Sequence, residues 1–319
     1  MTPPTRNPES LRYYATPGPF SDLGAHAARV RDLPEALPEL CRVVQGLVVH
    51  PFLSRLYGLE PDTLHWDDLQ VRSASEMLDR VLALDPGPLS TPRAPAHRFV
   101  GNCRHFTVLL CAFLRARSVP ARARCGFGAY LEPSRFEDHW VCEVWDAAGG
   151  AWRLVDAQID AVQHELFRIA FDPLDVPRTQ FLVAGAAWQR CRRGDVDPQR
   201  FGILDLRGLW FVRGNLLRDL AARRKRELLP WDSWGLMGKR DRPDGAAEVA
   251  LLDRVAELTQ AGDARHAEVL QLYDSEPGLR VPRVITSLAA PPRLLTARHA
   301  LVLAPVGEAK VDLGPGVVD

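Results

Sequence analysis

From residue 103 to residue 118 the chain has almost no polar interruption. Phe106, Val108, Leu109, Leu110, Ala112, Phe113 and Leu114 point to every side of a helical wheel. A helix apolar all round must be enclosed on all sides, so the rest of the fold has to be built about this segment. Asn102 stands where an N-cap belongs, and Pro120 ends the helix. The first helical residue is a cysteine, Cys103.

That position gives the thiol a chemistry. A thiol is a weak nucleophile until it becomes a thiolate. The unpaired N–H groups and partial positive charge of a helix N-terminus stabilise the anion. The same N–H groups can hold an oxyanion formed on an acyl substrate. A thiolate of this kind needs an imidazole partner, and the imidazole needs a carboxylate that fixes its tautomer.

The next segments supply both groups. Residues 121–130, 139–146 and 152–156 read as three short strands, and Ala147-Ala-Gly-Gly150 reads as the hairpin turn between the last two. His139 opens the second strand and Asp156 ends the third. If Asp146 pairs with Ala151 across the turn, Val141 falls opposite Asp156 and His139 opposite Gln158. Side chains alternate faces along a strand, so His139 and Asp156 share a face as diagonal neighbours, roughly 7–8 Å apart at Cα. A slip of one residue would put them on opposite faces.

Gly101-Asn-Cys-Arg-His-Phe-Thr, with its buried helix and the turn Ser118-Val-Pro-Ala121, resembles the nucleophile segment of the transglutaminase-like superfamily. Asp138-His-Trp-Val-Cys-Glu-Val-Trp145 is similar to that family's His strand, and Trp152-Arg-Leu-Val-Asp156 to its Asp strand. The order Cys, His, Asp also matches, over residues 97–160. Where many relatives continue the Asp strand with Pro and a hydroxyl residue, this chain has Ala157-Gln158, and no acidic calcium-binding cluster is evident. The resemblance implies an α+β fold with a papain-like core, in which the Cys helix packs on an antiparallel sheet and further helices are added. It implies Cys103, His139 and Asp156 as catalytic residues. The expected activity is acyl transfer through a thioester on a peptide-like or small amide substrate, by hydrolysis or transamidation. The alternative is a non-catalytic module that keeps the fold for binding.

Other residues have both a sharp and a plain reading. Asn102 is a cap or a pocket donor. His105 is a hydrogen-bonding residue of the helix start or a pocket residue. Trp140 is a wall of the site or core, and Gln158, opposite His139, is a candidate lining residue. Asp160 reads as a loop or capping residue. Cys111, Cys125 and Cys142 read as core. His50 and His97 read as surface, the run Arg223-Arg-Lys-Arg226 as a solvated helix face, and Trp210, Phe211, Trp231 and Trp234 as core or a substrate groove. A zinc site drawn from Cys103, His105, Cys125, His139 and Cys142 lacks the paired ligand spacing that structural zinc shows, so neither metal nor cofactor is expected.

Composition narrows the partners. Lys+Arg and Asp+Glu number 40 each, a formal net charge of zero, which gives no electrostatic case for nucleic acid or an anionic membrane. No stretch is apolar for long enough to span a bilayer. The start Met1-Thr-Pro-Pro lacks the apolar core of a signal peptide. Six cysteines are too sparse for a disulfide scaffold at this length. The expected location is the cytoplasm. The organisation reads as a Pro-rich, loosely structured lead-in with short helices over 1–38, a catalytic domain with helical additions over 39–240, a linker over 240–245, and a helical extension with a tail over 246–319. Within the catalytic domain 181–193 and 204–227 read as helices, and in the extension 246–273 reads as one helix or as a helical hairpin broken near Gly262-Asp263.

Overall fold

In the computed structural model, which describes residues 7–238, 245–290, 294–297, 300–303 and 307–317, the apolar segment forms helix Cys103–Arg115, and every residue of it is buried. It is the fifth of ten helices among the described residues. In chain order these are α1 (Pro8–Tyr14), α2 (Ala27–Val30), α3 (Leu37–Leu47), α4 (Ala74–Leu84), α5 (Cys103–Arg115), α6 (Ala161–Leu166), α7 (Ala184–Arg193), α8 (Leu209–Arg223), α9 (Ala246–Gln260) and α10 (His266–Ser275).

The strands are β1 (Val48–Val49), β2 (Phe99–Val100), β3 (Ala121–Gly128), β4 (Phe136–Asp146), β5 (Ala151–Val155), β6 (Phe181–Val183), β7 (Phe201–Ile203), β8 (Leu206–Arg207), β9 (Val284–Leu288), β10 (Leu294–Ala297), β11 (Ala300–Leu303) and β12 (Glu308–Asp312). Six of them form the main sheet, ordered β6-β3-β4-β7-β8, with β5 on the edge of β4 that β7 also uses. All its pairings are antiparallel except β4 with β7. This is an α+β architecture, as expected.

Helix α5 packs on β3 and β4 through one face of the sheet. Ala121, Ala123 and Cys125 of β3 and Trp140, Cys142 and Val144 of β4 share a core cluster with Phe106, Leu109, Leu110 and Phe113. Helices α3 and α4 complete the enclosure with Leu40, Val44, Leu47, Met77 and Val81. Fully burying side chains of this size stabilises by about 1.5–3 kcal/mol each. Trp140 thus belongs to the core and not to a site wall, because it alternates with His139 along β4. Cys111 and Cys142 lie deep in the same core with their sulfurs 3.2 Å apart.

A second cluster, around Trp188, Val212, Leu216, Leu220, Val255 and Leu258, joins α7, α8 and α9. Helix α8 also closes an edge of the sheet. Strand β6 pairs with β3 only at Gly126, Phe127 and Gly128, where a Cβ on Gly126 would overlap the Leu182 carbonyl. Beyond that point Asp219 of α8 accepts the Cys125 N–H at 3.0 Å and pairs with Arg124 through both carboxylate oxygens. An unpaired buried N–H is thereby satisfied.

Three expectations are corrected. The lead-in is packed: Tyr14 is fully buried and its hydroxyl donates to the Arg223 carbonyl at 2.9 Å. The run 223–226 is not a solvated helix face, since Arg223, Lys225 and Arg226 are buried. Lys225 Nζ donates to the carbonyls of Tyr13, Thr16 and Pro17 and to Thr16 Oγ1, stapling the lead-in to the end of α8. The segments 181–193 and 204–227, read as continuous helices, each begin with strand, Phe181–Val183 and Leu206–Arg207. Their apolar residues complete a sheet edge, and tertiary pairing outweighs local pattern there. Of the two readings of 246–273, a single helix or a hairpin, the structure has two helices, α9 and α10, separated near Gly262 and Asp263. In the tail, β9 and β12 pair antiparallel. The linker residues 240–244 lie outside the described residues.

The Arg124–Asp219 pair is buried on both sides. Asp219→Ala leaves Arg124 Nε–H and the Cys125 N–H unsatisfied, although Glu143 still pairs with the guanidinium, so it should destabilise by about 1–3 kcal/mol, read as a lowered urea midpoint. A change within the scatter of surface substitutions would show that α8 does not hold this edge.

Candidate active site

The hairpin of β4 and β5 sets the first half of the site. Asp146 pairs with Ala151 and Cys142 with Val155, which is the register that brings His139 and Asp156 to one face. Gly150 takes φ of 65° in the turn, a left-handed conformation that glycine adopts without strain. His139 Nε2 lies 2.8 Å from Asp156 Oδ2, both groups being buried. Asp156 Oδ1 accepts the Gln158 N–H at 3.1 Å.

Sequence reading did not identify Tyr130. Its hydroxyl donates to the same Asp156 Oδ2 at 2.6 Å, and its ring meets the His139 ring edge-on with centroids 5.9 Å apart. The strand read over 121–130 ends at Gly128 in the structure, so Tyr130 lies just past β3 and its direction is set by the chain after the strand, not by the strand's alternation.

The second half comes from the start of α5. Asn102 caps the helix by accepting the Arg104 N–H at 3.1 Å, and His105 Nδ1 accepts the Asn102 N–H at 3.1 Å, a reciprocal capping box. His105 Nε2 donates to the Val71 carbonyl at 2.9 Å. Burial, then Arg104, hold His105 well below its usual range. Both ring nitrogens are occupied, and His105 does not line the cleft. Its role is to fix the helix start, which corrects the pocket reading. Cys103 follows the cap and is 7% exposed.

Cys103 and His139 line one cleft of about 340 Å³ together with Asn102, Gln158, His50 and Asp138. Its apolar walls include Phe52, Leu69, Phe211, Trp231 and Leu288. Of the four aromatics weighed as core or groove, Phe211 and Trp231 face this cleft, whereas Trp234 is buried in the second core cluster. His50, read as surface, is a cleft residue. Asp160 caps α6 by accepting the Gln163 N–H and also accepts the Tyr57 hydroxyl.

The electrostatics follow from these contacts. Burial alone would pull His139 down. The Asp156 carboxylate, by charge and hydrogen bond, outweighs it with help from a hydrogen bond to Cys103, and the imidazole is raised from 6.5 to about 10. With Nε2 engaged by Asp156, Nδ1 is the nitrogen left for the sulfur. Buried Asp138, which accepts from Asn215 Nδ2 at 2.7 Å, is pushed up by burial, partly offset by Asn215 and Arg218. Among the described residues no group of three or more His, Cys, Asp and Glu is arranged to hold a metal ion. No helix among them is long and apolar enough to cross a membrane.

Residues 83–157 match the Transglutaminase-like superfamily. This segment contains α5, β3, β4 and β5, and with them Cys103, His139 and Asp156. No curated protein matches the chain. Among solved structures, one from Cytophaga hutchinsonii named "Putative Cysteine Protease" is 17% identical, with a TM-score of 0.29. The match covers 48% of this chain and 43% of that one, so the chain spans less than half the length of that neighbour.

The raised His139 has a consequence for stability. Its folded value lies near 10 against 6.5 unfolded, so the stabilisation is fully present below the unfolded value and is lost as pH climbs through the folded one. The urea-unfolding difference between wild type and His139→Gln should be constant up to about pH 6.5 and decay toward pH 10. A difference that grows with alkalinity would contradict the pairing.

Proposed function

We propose, from the premise that residues 83–157 are a transglutaminase-like core, that this chain is a cysteine-dependent acyl-transfer enzyme acting on an amide or peptide-like substrate. The observation that carries the reading is the placement of His139 between the Asp156 carboxylate and the Cys103 sulfur.

Cys103 Sγ attacks the acyl carbon and the carbonyl π pair moves onto oxygen. The backbone N–H of Cys103, at the first turn of α5, is a donor to that oxyanion. As the intermediate collapses, the imidazolium of His139 protonates the departing amine and the C–N bond breaks, leaving a thioester. His139 then takes a proton from the acceptor that attacks the thioester. Asp156 holds the ring in the tautomer that faces the sulfur, and Tyr130 and the Gln158 N–H hold Asp156. Water as acceptor gives hydrolysis and needs no second binding site, so hydrolysis is favoured over transamidation. The apolar walls beside Cys103 suit the hydrocarbon part of an acyl group. Six free thiols suit a reducing compartment such as the cytoplasm.

The test is alkylation by iodoacetamide near neutral pH, with the labelled residue located by mass spectrometry. Cys103 is buried, as are Cys41, Cys111, Cys125 and Cys142, whereas Cys191 is half-buried, so a label that falls first on Cys103 reports activation by His139 rather than exposure. The rate should drop by about 10²-fold or more in His139→Ala, the scale of a lost acid–base partner. Labelling of Cys103 no faster than of Cys191, indifferent to His139, would point instead to a non-catalytic module of the same fold.

A further inference from the structure

His50 lies beside the nucleophile through backbone pairing. Strands β1 and β2 run parallel, with Val48 opposite Phe99 and Val49 opposite Val100, and the Gly101 N–H donates to the Val49 carbonyl at 3.0 Å. His50 and Gly101 therefore leave the pair side by side, and Cys103 follows two residues later. Gly101 permits the approach, since a Cβ there would sit 2.8 Å from Val48 Cγ1 and 2.9 Å from His105 Cβ. Asp68 anchors the far side by accepting the Val100 N–H at 3.2 Å.

The tautomer of His50 is also set. Its ring begins the turn Pro51–Tyr57, and Nδ1 accepts the Phe52 N–H at 3.2 Å. A nitrogen that accepts is unprotonated, so in the neutral ring the proton is on Nε2. No described hydrogen bond engages Nε2, and the ring lines the cleft with Cys103 and His139. Burial, then the neighbouring His139, bring the ring down to about 3. It stays neutral while His139 is charged.

We propose that His50 Nε2–H is the second oxyanion donor, acting with the backbone N–H of Cys103. This rests on the acyl-transfer reading above. A donor whose proton is fixed before the substrate arrives needs no reorganisation when charge develops on the carbonyl oxygen. A neutral imidazole can polarise that oxygen without competing with the His139 imidazolium for the thiolate.

Two reagents separate this role from a general one. Iodoacetamide alkylates sulfur by displacement at a saturated carbon and forms no oxyanion. With p-nitrophenyl acetate the thiolate adds to the carbonyl, the π pair moves to oxygen, and collapse breaks the aryl ester bond, releasing p-nitrophenolate and leaving an acetyl thioester on Cys103. In His50→Phe the p-nitrophenolate burst should slow by about 10²–10³-fold, with iodoacetamide alkylation held within about threefold. His50→Gln, which restores an N–H donor, should recover at least about tenfold of the lost acylation rate. A melting curve on each variant reports whether it is folded. Acylation unchanged in His50→Phe overturns the assignment. So does a parallel fall in both reactions of both folded variants, which would place His50 on the nucleophile itself. If wild-type Cys103 is slow toward both reagents, the acyl-transfer reading fails first and this one with it.

Discussion

The hydrogen bond between His139 and Asp156 depends on one strand pairing, and most of the site depends on that bond. Asp146 opposite Ala151 is the last rung before the turn, and a slip of a single residue there would exchange the two faces of β5. Asp156 would then point at the α5 core, a carboxylate among Trp140 and Cys142 in the place Val155 now fills. The cost of burying an unpaired charge makes the observed register the one that survives. The turn glycines and the apolar alternation of β4 and β5 act together toward the same register. His139 is held charged because the carboxylate, supported by Tyr130 and the Gln158 N–H, outweighs its burial.

The other half of the site is built from backbone. A capping box made by Asn102 and His105 fixes where α5 begins, and a short parallel pair brings the chain after Val49 alongside the chain after Val100. The two arrangements meet at Cys103. One gives the sulfur a helix start, and the other sets a neutral imidazole beside it. Neither needs the sheet, and the cleft forms where they face the hairpin.

Around this centre the molecule is tied together by buried charge. Arg115 pairs with Glu227, Arg122 and Arg124 with Glu143, and Arg124 with Asp219. Such pairs are a weak source of net stability, but each is costly to break singly. They join α5 to the segment that follows α8, and β3 to both β4 and α8. Lys225 extends the same tie to the N-terminal segment through main-chain carbonyls.

The sequence alone determined the parts governed by local pattern. These are the enclosed helix with Cys103 at its first turn, the hairpin register, and hence the meeting of His139 with Asp156. The helix follows from an unbroken apolar run between a cap and a proline, and the hairpin from a period of 2 and a turn that only certain residues form. Only the tertiary structure decided the rest. His50 lies outside any periodic element that would aim it, and Tyr130 lies beyond the point where β3 ends; His50 reaches the cleft, and Tyr130 reaches Asp156 and His139, because distant segments pair or end there. Lys225 of the cationic run at 223–226 is buried because its partners include carbonyls of the lead-in, and a carbonyl carries no residue identity to be read. Segments such as 181–183 and 206–207 became strands because an open sheet edge was available, a circumstance set by the fold around them.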